Sequence, residues 1–193
     1  MIDLTGRIII VTGAASGIGK GISSTMAEQG AIVVVADKFL EGAQEVAKSL
    51  RQSGSTVEAI ELDVTNESSI DKMIRDVISK YDHIDGLINN AGVIGGKDWP
   101  SRQRPNTEDW DAVLGVNLKG LAQVTEQVSF KMMDRKFGKI VNIASIAARQ
   151  GSPDTPHYSA SKAGVVSVTR TYALRLAAFN INVNAICPGL LWT

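Results

Sequence analysis

The sequence has 193 residues, enough for one sizeable domain around a single core. Hydrophobic residues make up 44% and charged residues 21%, an ordinary globular composition. Twenty basic and twenty acidic residues cancel, which argues against a nucleic-acid or anionic-membrane surface as the main business of the chain.

The opening "MIDLTGRIII" lacks a basic region followed by an apolar run, so no signal peptide is visible. From there, short β-branched runs alternate with longer amphipathic stretches. "RIIIVTG" (7–13) precedes a helical pattern over 17–30, "AIVVVAD" (31–37) one over 40–54, and "TVEAIELDV" (56–64) one over 67–81. "GLINNAG" (86–92) leads through a polar loop to a long helical pattern near 107–135. "GKIVNIAS" (138–145), a helical pattern over 158–178 and "INVNAIC" (181–187) complete the series. Near-continuous Val/Ile runs predict strands buried on both faces, too short to span a bilayer. Their alternation with helices predicts a doubly wound parallel α/β sheet, Rossmann-like, with six strands in one domain over 1–193. All five prolines lie after residue 99, in predicted loops or at strand ends. Cys187 is the only cysteine, so no internal disulfide forms; this fits a reducing cytoplasm, and an apolar thiol is favoured over a nucleophile.

In such sheets ligands bind at the carboxyl ends of the strands. After the first strand comes "TGAASGIG", with Gly13, Ser16, Gly17, Ile18 and Gly19 between a buried strand and a helix. A glycine-rich turn lets backbone N–H groups approach a pyrophosphate, and the helix N-terminus adds partial positive charge. The alternative is simple tight packing of strand on helix. Asp37 ends the second strand, where a carboxylate accepts bonds from adenosine ribose hydroxyls and repels a 2′-phosphate. NAD is therefore expected over NADP, although Lys38 could reach a phosphate.

"YSASK" places Tyr158 and Lys162 four residues apart, on one helix face. A phenol ionises near about pH 10 and is a poor base at neutrality; a neighbouring ammonium favours the phenolate. Ser145, at the end of the fifth strand, could share a carbonyl substrate with that phenol. Asn117 sits mid-pattern between Gly115 and Gly120, three poor helix-interior residues together, which marks either a functional site or a helix loosened for packing.

Taken together, these residues resemble the short-chain dehydrogenases/reductases: TGxxxGIG (12–19), Asp37, "DV" (63–64), "NNAG" (89–92), Asn117, Ser145, YxxxK (158–162) and "PG" (188–189). The resemblance implies Tyr158 as general acid/base, Ser145 as orienter of the substrate oxygen, and Lys162 as a ligand of the nicotinamide ribose that favours the phenolate. It implies that Asn117 holds a proton-relay water through its main chain. Asp63 and Val64 would meet the adenine, and Asn90, Ala91 and Gly92 would line the cofactor. Pro188, Gly189 and Thr193 would complete the cofactor site, Thr193 at the carboxamide. It further implies a homodimer or homotetramer, built partly on the helices carrying Asn117 and Tyr158. Family members usually continue with a mobile loop, another helix and a seventh strand. The functional polypeptide is thus expected to extend beyond Thr193, with the C-terminal part of the usual fold absent from this sequence.

Only two histidines occur, without metal-ligand spacing, so no metal site is expected. His157 reads as a solvated or pocket-rim residue and His83 as a loop residue. Lys97, Arg102 and Arg104 could meet an anionic substrate, but a solvated loop is the simpler account. The leading expectation is an NAD-dependent oxidoreductase interconverting a secondary alcohol and a ketone. The alternatives are a non-catalytic NAD-binding partner subunit and a 3-oxoacyl-thioester reductase, the latter disfavoured by Asp37 because such reductases usually prefer NADPH.

Overall fold

A computed structural model describes residues 2–101 and 104–191. Six parallel strands form one sheet in the order β3-β2-β1-β4-β5-β6: β1 Ile8–Thr12, β2 Ile32–Asp37, β3 Val57–Glu61, β4 Gly86–Asn89, β5 Gly138–Ile143 and β6 Ile181–Ile186. The expected doubly wound α/β architecture is therefore present. The chain runs outward from β1 to β3, then returns to β4 on the other side of β1. That reversal opens a crevice above the ends of β1 and β4, where such sheets bind ligands.

Alternation along β1 explains the two helix layers. Ile8 and Ile10 face one way and pack with Ile70, Met73 and Val77 of α3 (Glu67–Tyr81) and Val124, Val128 and Met132 of α5 (Leu121–Arg135). Ile9 and Val11 face the other way, against Ala27 of α1 (Gly17–Glu28) and Ala43, Val46 and Ala47 of α2 (Leu40–Gln52). Fully buried side chains such as Ile10, Leu87 and Ile140 each contribute about 1.5–3 kcal/mol to holding the sheet. At the opposite end of the strands, the buried Asp85 carboxylate accepts the Ile8 N–H and pairs with Arg7, His83 and Arg135, tying β1, β4 and α5 together.

Four details differ from the sequence reading. The pattern near 107–135 divides into α4 (Thr107–Leu114), a π-helical turn (Gly115–Gly120) and α5. The glycines at both ends of that turn lower the penalty for winding the backbone wide. β5 stops at Ile143, so Ser145 lies in the following turn, ahead of a short helix, α6 (Ala147–Gln150). Pro156 is not in a loop: it opens α7 (Pro156–Leu176) at the first helical position, where its missing N–H costs nothing. Finally, His157 is fully buried rather than solvated.

Candidate active site

The turn after β1 is built for close approach. Gly13 and Gly17 hold φ values of +64° and +53°, and a Cβ on Gly13 would lie 2.7 Å from the Ala91 Cα. α1 then begins at Gly17 with Ser16 as its N-cap, yet the Ser16 side chain makes no capping bond and the first turn carries no acid. By contrast, Asn66 caps α3 and Asn106 caps α4 through their side chains. The first N–H groups of α1 are thus left without a side-chain acceptor, beside the cleft that Ser16, Gly17 and Ile18 line. This is a donor set matched to a pyrophosphate.

At the end of β2, the Asp37 carboxylate accepts N–H bonds from Ala15 and Phe39, both at 2.9 Å, which fix its orientation at the cleft. Across from it, Asp63 pairs with Lys38 at 2.7 Å and accepts from the Thr65 N–H and hydroxyl. Partial burial works upward on the Asp63 carboxyl, but the bonds from Lys38 and Thr65 outweigh it and hold it below the usual carboxylate range. Lys38 is thereby engaged with Asp63 at the rim of the cleft.

Beyond β4, the backbone N–H groups of Asn90 and Ala91 donate to Thr12 Oγ1, and Asn90 Nδ2 donates to the carbonyls of Thr12 and Gly13. These bonds lock the two crevice loops together. The Asn117 side chain, buried in the π-helical turn, accepts the Val93 N–H and donates to the Val93 carbonyl, both at 2.8 Å. Its amide also donates to Ser161 Oγ on α7, linking the π-turn, the loop after β4 and the helix of Tyr158.

Lys162 is buried and donates to the Ile143 carbonyl at 2.7 Å. Its Nζ lies 5.7 Å from the centre of the Tyr158 ring. Burial pushes the ammonium down from 10.5 to about 8, so at neutral pH it remains mostly protonated, one favourable charge in a low-dielectric wall. Ser145 Oγ accepts the Ala147 N–H, and the Ile146 N–H binds the Pro188 carbonyl, which brings the turns after β5 and β6 together.

These residues converge on one cleft of about 640 Å³, within the usual range for small-molecule and cofactor sites. Gly13, Asp37, Asp63, Val64, Asn90 and Ala91 line it, together with Gly92, Ser145, Tyr158, Lys162, Pro188 and Gly189. Two expected residues stand behind the lining. A Cβ on Gly19 would lie 2.2 Å from the Gly13 carbonyl oxygen, so this glycine serves the packing of α1 on the turn. Asn117 supports the wall from beneath. Thr193 and Arg102 lie outside the described residues, and Lys97 and Arg104 are exposed. Sequence reasoning missed Val93 and Ile94 as lining residues, although their place directly after "NNAG" was the available signal. Among the described residues, no group of three His, Cys, Asp or Glu is placed to hold a metal ion, and no helix is long and apolar enough to cross a membrane.

Comparison with known proteins agrees with this geometry. The family model for short chain dehydrogenase matches residues 7–193. A 3-oxoacyl-[acyl-carrier-protein] reductase of Thermotoga maritima is 40% identical over 190 residues, 98% of this chain and 76% of that protein. A (2S)-[(R)-hydroxy(phenyl)methyl]succinyl-CoA dehydrogenase subunit of Thauera aromatica is 38% identical, over 97% of this chain and 74% of its own length. Among solved structures, an NAD+-bound xylitol dehydrogenase superposes with a TM-score of 0.93 at 33% identity, covering all of this chain and 73% of that one. The chain belongs to the short-chain dehydrogenase family of oxidoreductases, enzymes that act on alcohol and ketone groups with a nicotinamide cofactor.

Proposed function

We propose that this protein is an NAD-dependent oxidoreductase that interconverts a secondary alcohol and a ketone, with Tyr158 as general acid/base. The observation that carries the reading is one cleft lined both by Tyr158, Lys162 and Ser145 and by the glycine turn with Asp37, the ends of β5 and β2 lying on opposite sides of β1 and β4. Bound there, a nicotinamide dinucleotide supplies the redox chemistry, accepting or giving a hydride at the carbinol carbon. The first-turn N–H groups of α1 would hold its pyrophosphate, and Asp37 would take the adenosine ribose hydroxyls. Lys162 donates one of its three N–H bonds to Ile143, which would leave the others for the nicotinamide ribose.

In the oxidative direction Tyr158 Oη takes the hydroxyl proton as the carbinol carbon is oxidised; in reduction it returns that proton to the carbonyl oxygen. Ser145 Oγ hydrogen-bonds the same oxygen and fixes its position between serine and tyrosine. The Lys162 charge beside the Tyr158 ring stabilises the phenolate while the proton is away. Asn117 holds the wall at Val93 and, by family resemblance, a relay water through its main chain. Exposed Phe130 on α5 and Leu174 on α7 support association of copies through these helices, as a homodimer or homotetramer.

A second reading, a 3-oxoacyl-thioester reductase, is favoured by the Thermotoga maritima relative. One panel tests both: secondary alcohols, ketones and a 3-oxoacyl thioester, each with NAD(H) and NADP(H), followed by nicotinamide absorbance. Tyr158→Phe keeps the ring packing and removes the acid/base group. Turnover should fall about 10²–10⁴-fold while NADH binding survives. A variant retaining more than about a tenth of wild-type activity would assign the proton transfer elsewhere.

A further inference from the structure

The buried imidazole of His157 has no place in the chemistry above. It sits one residue before Tyr158, is 0% exposed, and neither ring nitrogen has a hydrogen-bond partner. Buried polar groups are normally paired, so an unpaired histidine in the first turn of the active-site helix calls for an explanation. Its neighbours supply one. The Trp99 ring lies 4.9 Å away, tilted by 56°, and the Trp110 ring 5.9 Å away, tilted by 51°. Trp110 belongs to α4, whereas Trp99 opens a 3-10 turn (Trp99–Ser101) in the loop that leaves β4.

That loop forms part of the cleft wall through Val93 and Ile94, and Ile94 is 55% exposed. Side chains of the helical layer anchor its near end. Asn117 grips the Val93 backbone, and the Gly96 N–H donates to Asp109 Oδ1 at 2.8 Å. Between these anchors the Trp99 ring folds back over Gly95, where a Cβ would lie 2.2 Å from it. The path of the chain just past Ile94 is therefore set by the seat of Trp99. The seat of Trp99 is set in turn by His157, whose backbone is rigidly joined to that of Tyr158.

We infer that His157 is a positioning residue: packed against both Trp99 and Trp110, it fixes the Val93–Ile94 wall relative to Tyr158 and so governs the fit of the alcohol or ketone. The inference rests on the proposed function for its substrate class. Its action runs through packing of a flat ring, so an aromatic replacement should serve and a small one should not. The cofactor side, built on Gly13, Asp37 and Lys162, does not depend on it.

The test compares His157→Ala and His157→Phe with wild type, using the substrate found in the panel above. His157→Ala should raise substrate KM by about tenfold or more, with NADH affinity within about twofold of wild type, and His157→Phe should restore KM. Trp99→Ala, a change in the loop outside the sheet, should reproduce the KM effect if His157→Ala folds poorly. Hydrogen exchange supplies a readout without turnover. The Val93 and Gly96 amides should exchange about tenfold faster in His157→Ala and at the wild-type rate in His157→Phe. Unchanged KM and exchange in both His157→Ala and Trp99→Ala would overturn the inference, as would a KM defect that His157→Phe fails to repair. If the wild-type protein turns over no alcohol or ketone, the proposed function fails, and the exchange rates alone still decide the positioning role.

Discussion

Replacing Lys162 by methionine should stabilise the folded protein at neutral pH while ending turnover. The side chain is buried, its ammonium bonds the Ile143 carbonyl, and lost hydration holds it at about 8 instead of 10.5. At about 1.36 kcal/mol per pH unit, keeping that charge folded at pH 7 costs about 3 kcal/mol. Methionine keeps the unbranched stem and removes the charge, but forfeits a hydrogen bond worth about 1 kcal/mol. The net gain is about 2 kcal/mol at pH 7. Between pH 8 and 10.5 the unfolded lysine holds a proton that the folded one has released, so wild-type stability rises with pH across that window. The advantage of the variant is therefore full below pH 8 and lost by about pH 10.5. Urea titrations of both proteins at pH 7 and pH 10, with equal slopes, measure it directly. A variant less stable than wild type at pH 7, or one with the same advantage at both pH values, would refute the reasoning. Stability gained by deleting an active-site charge is the trade expected where function requires a costly group.

Two further predictions concern the cofactor end. Asp37→Ala should weaken NADH binding about tenfold and narrow the gap to NADPH, measured by fluorescence titration, because charge-assisted bonds to ribose are lost; equal affinity of the unmutated protein for both cofactors would remove the basis for the NAD preference. Gly19→Ala should lower Tm and abolish NADH binding, since its Cβ would meet the Gly13 oxygen at 2.2 Å and the Ala14 Cα at 2.9 Å. Gly21→Ala on the same helix meets nothing within 4 Å and should stabilise by about 0.5–1 kcal/mol, and a Gly19 variant behaving like it would show that the turn can yield.

The strands and helices were legible because each carries its own local signature. Five consecutive buried residues in β1 read as a strand covered on both faces, and Asp37 could be placed at a strand end by counting along an uninterrupted Val run. The glycine turn and the Tyr158–Lys162 pair were visible for a related reason: their residue types recur at short, fixed spacings along the chain.

Other features depended on contacts between residues distant in sequence. The π-helical turn arises where Asn117 reaches across to the Val93 backbone and to Ser161, and Gly115 and Gly120 only hinted at it. Ser145 leaves the strand because its turn is pinned to the Pro188 loop, a bond that no pattern in "KIVNIAS" encodes. In the sequence His157 reads as a solvated or pocket-rim residue; it is buried, with two tryptophans from separate segments packed against its ring. The sequence by itself determined which segments become strands and helices and which side chains are candidates for the chemistry, since periodicity and turn residues act over a few neighbours. Only the tertiary structure decided the strand order, the engagement of Lys38 with Asp63 and the burial of His157 and Lys162, because pairing, desolvation and packing belong to residues that meet only when the sheet has formed.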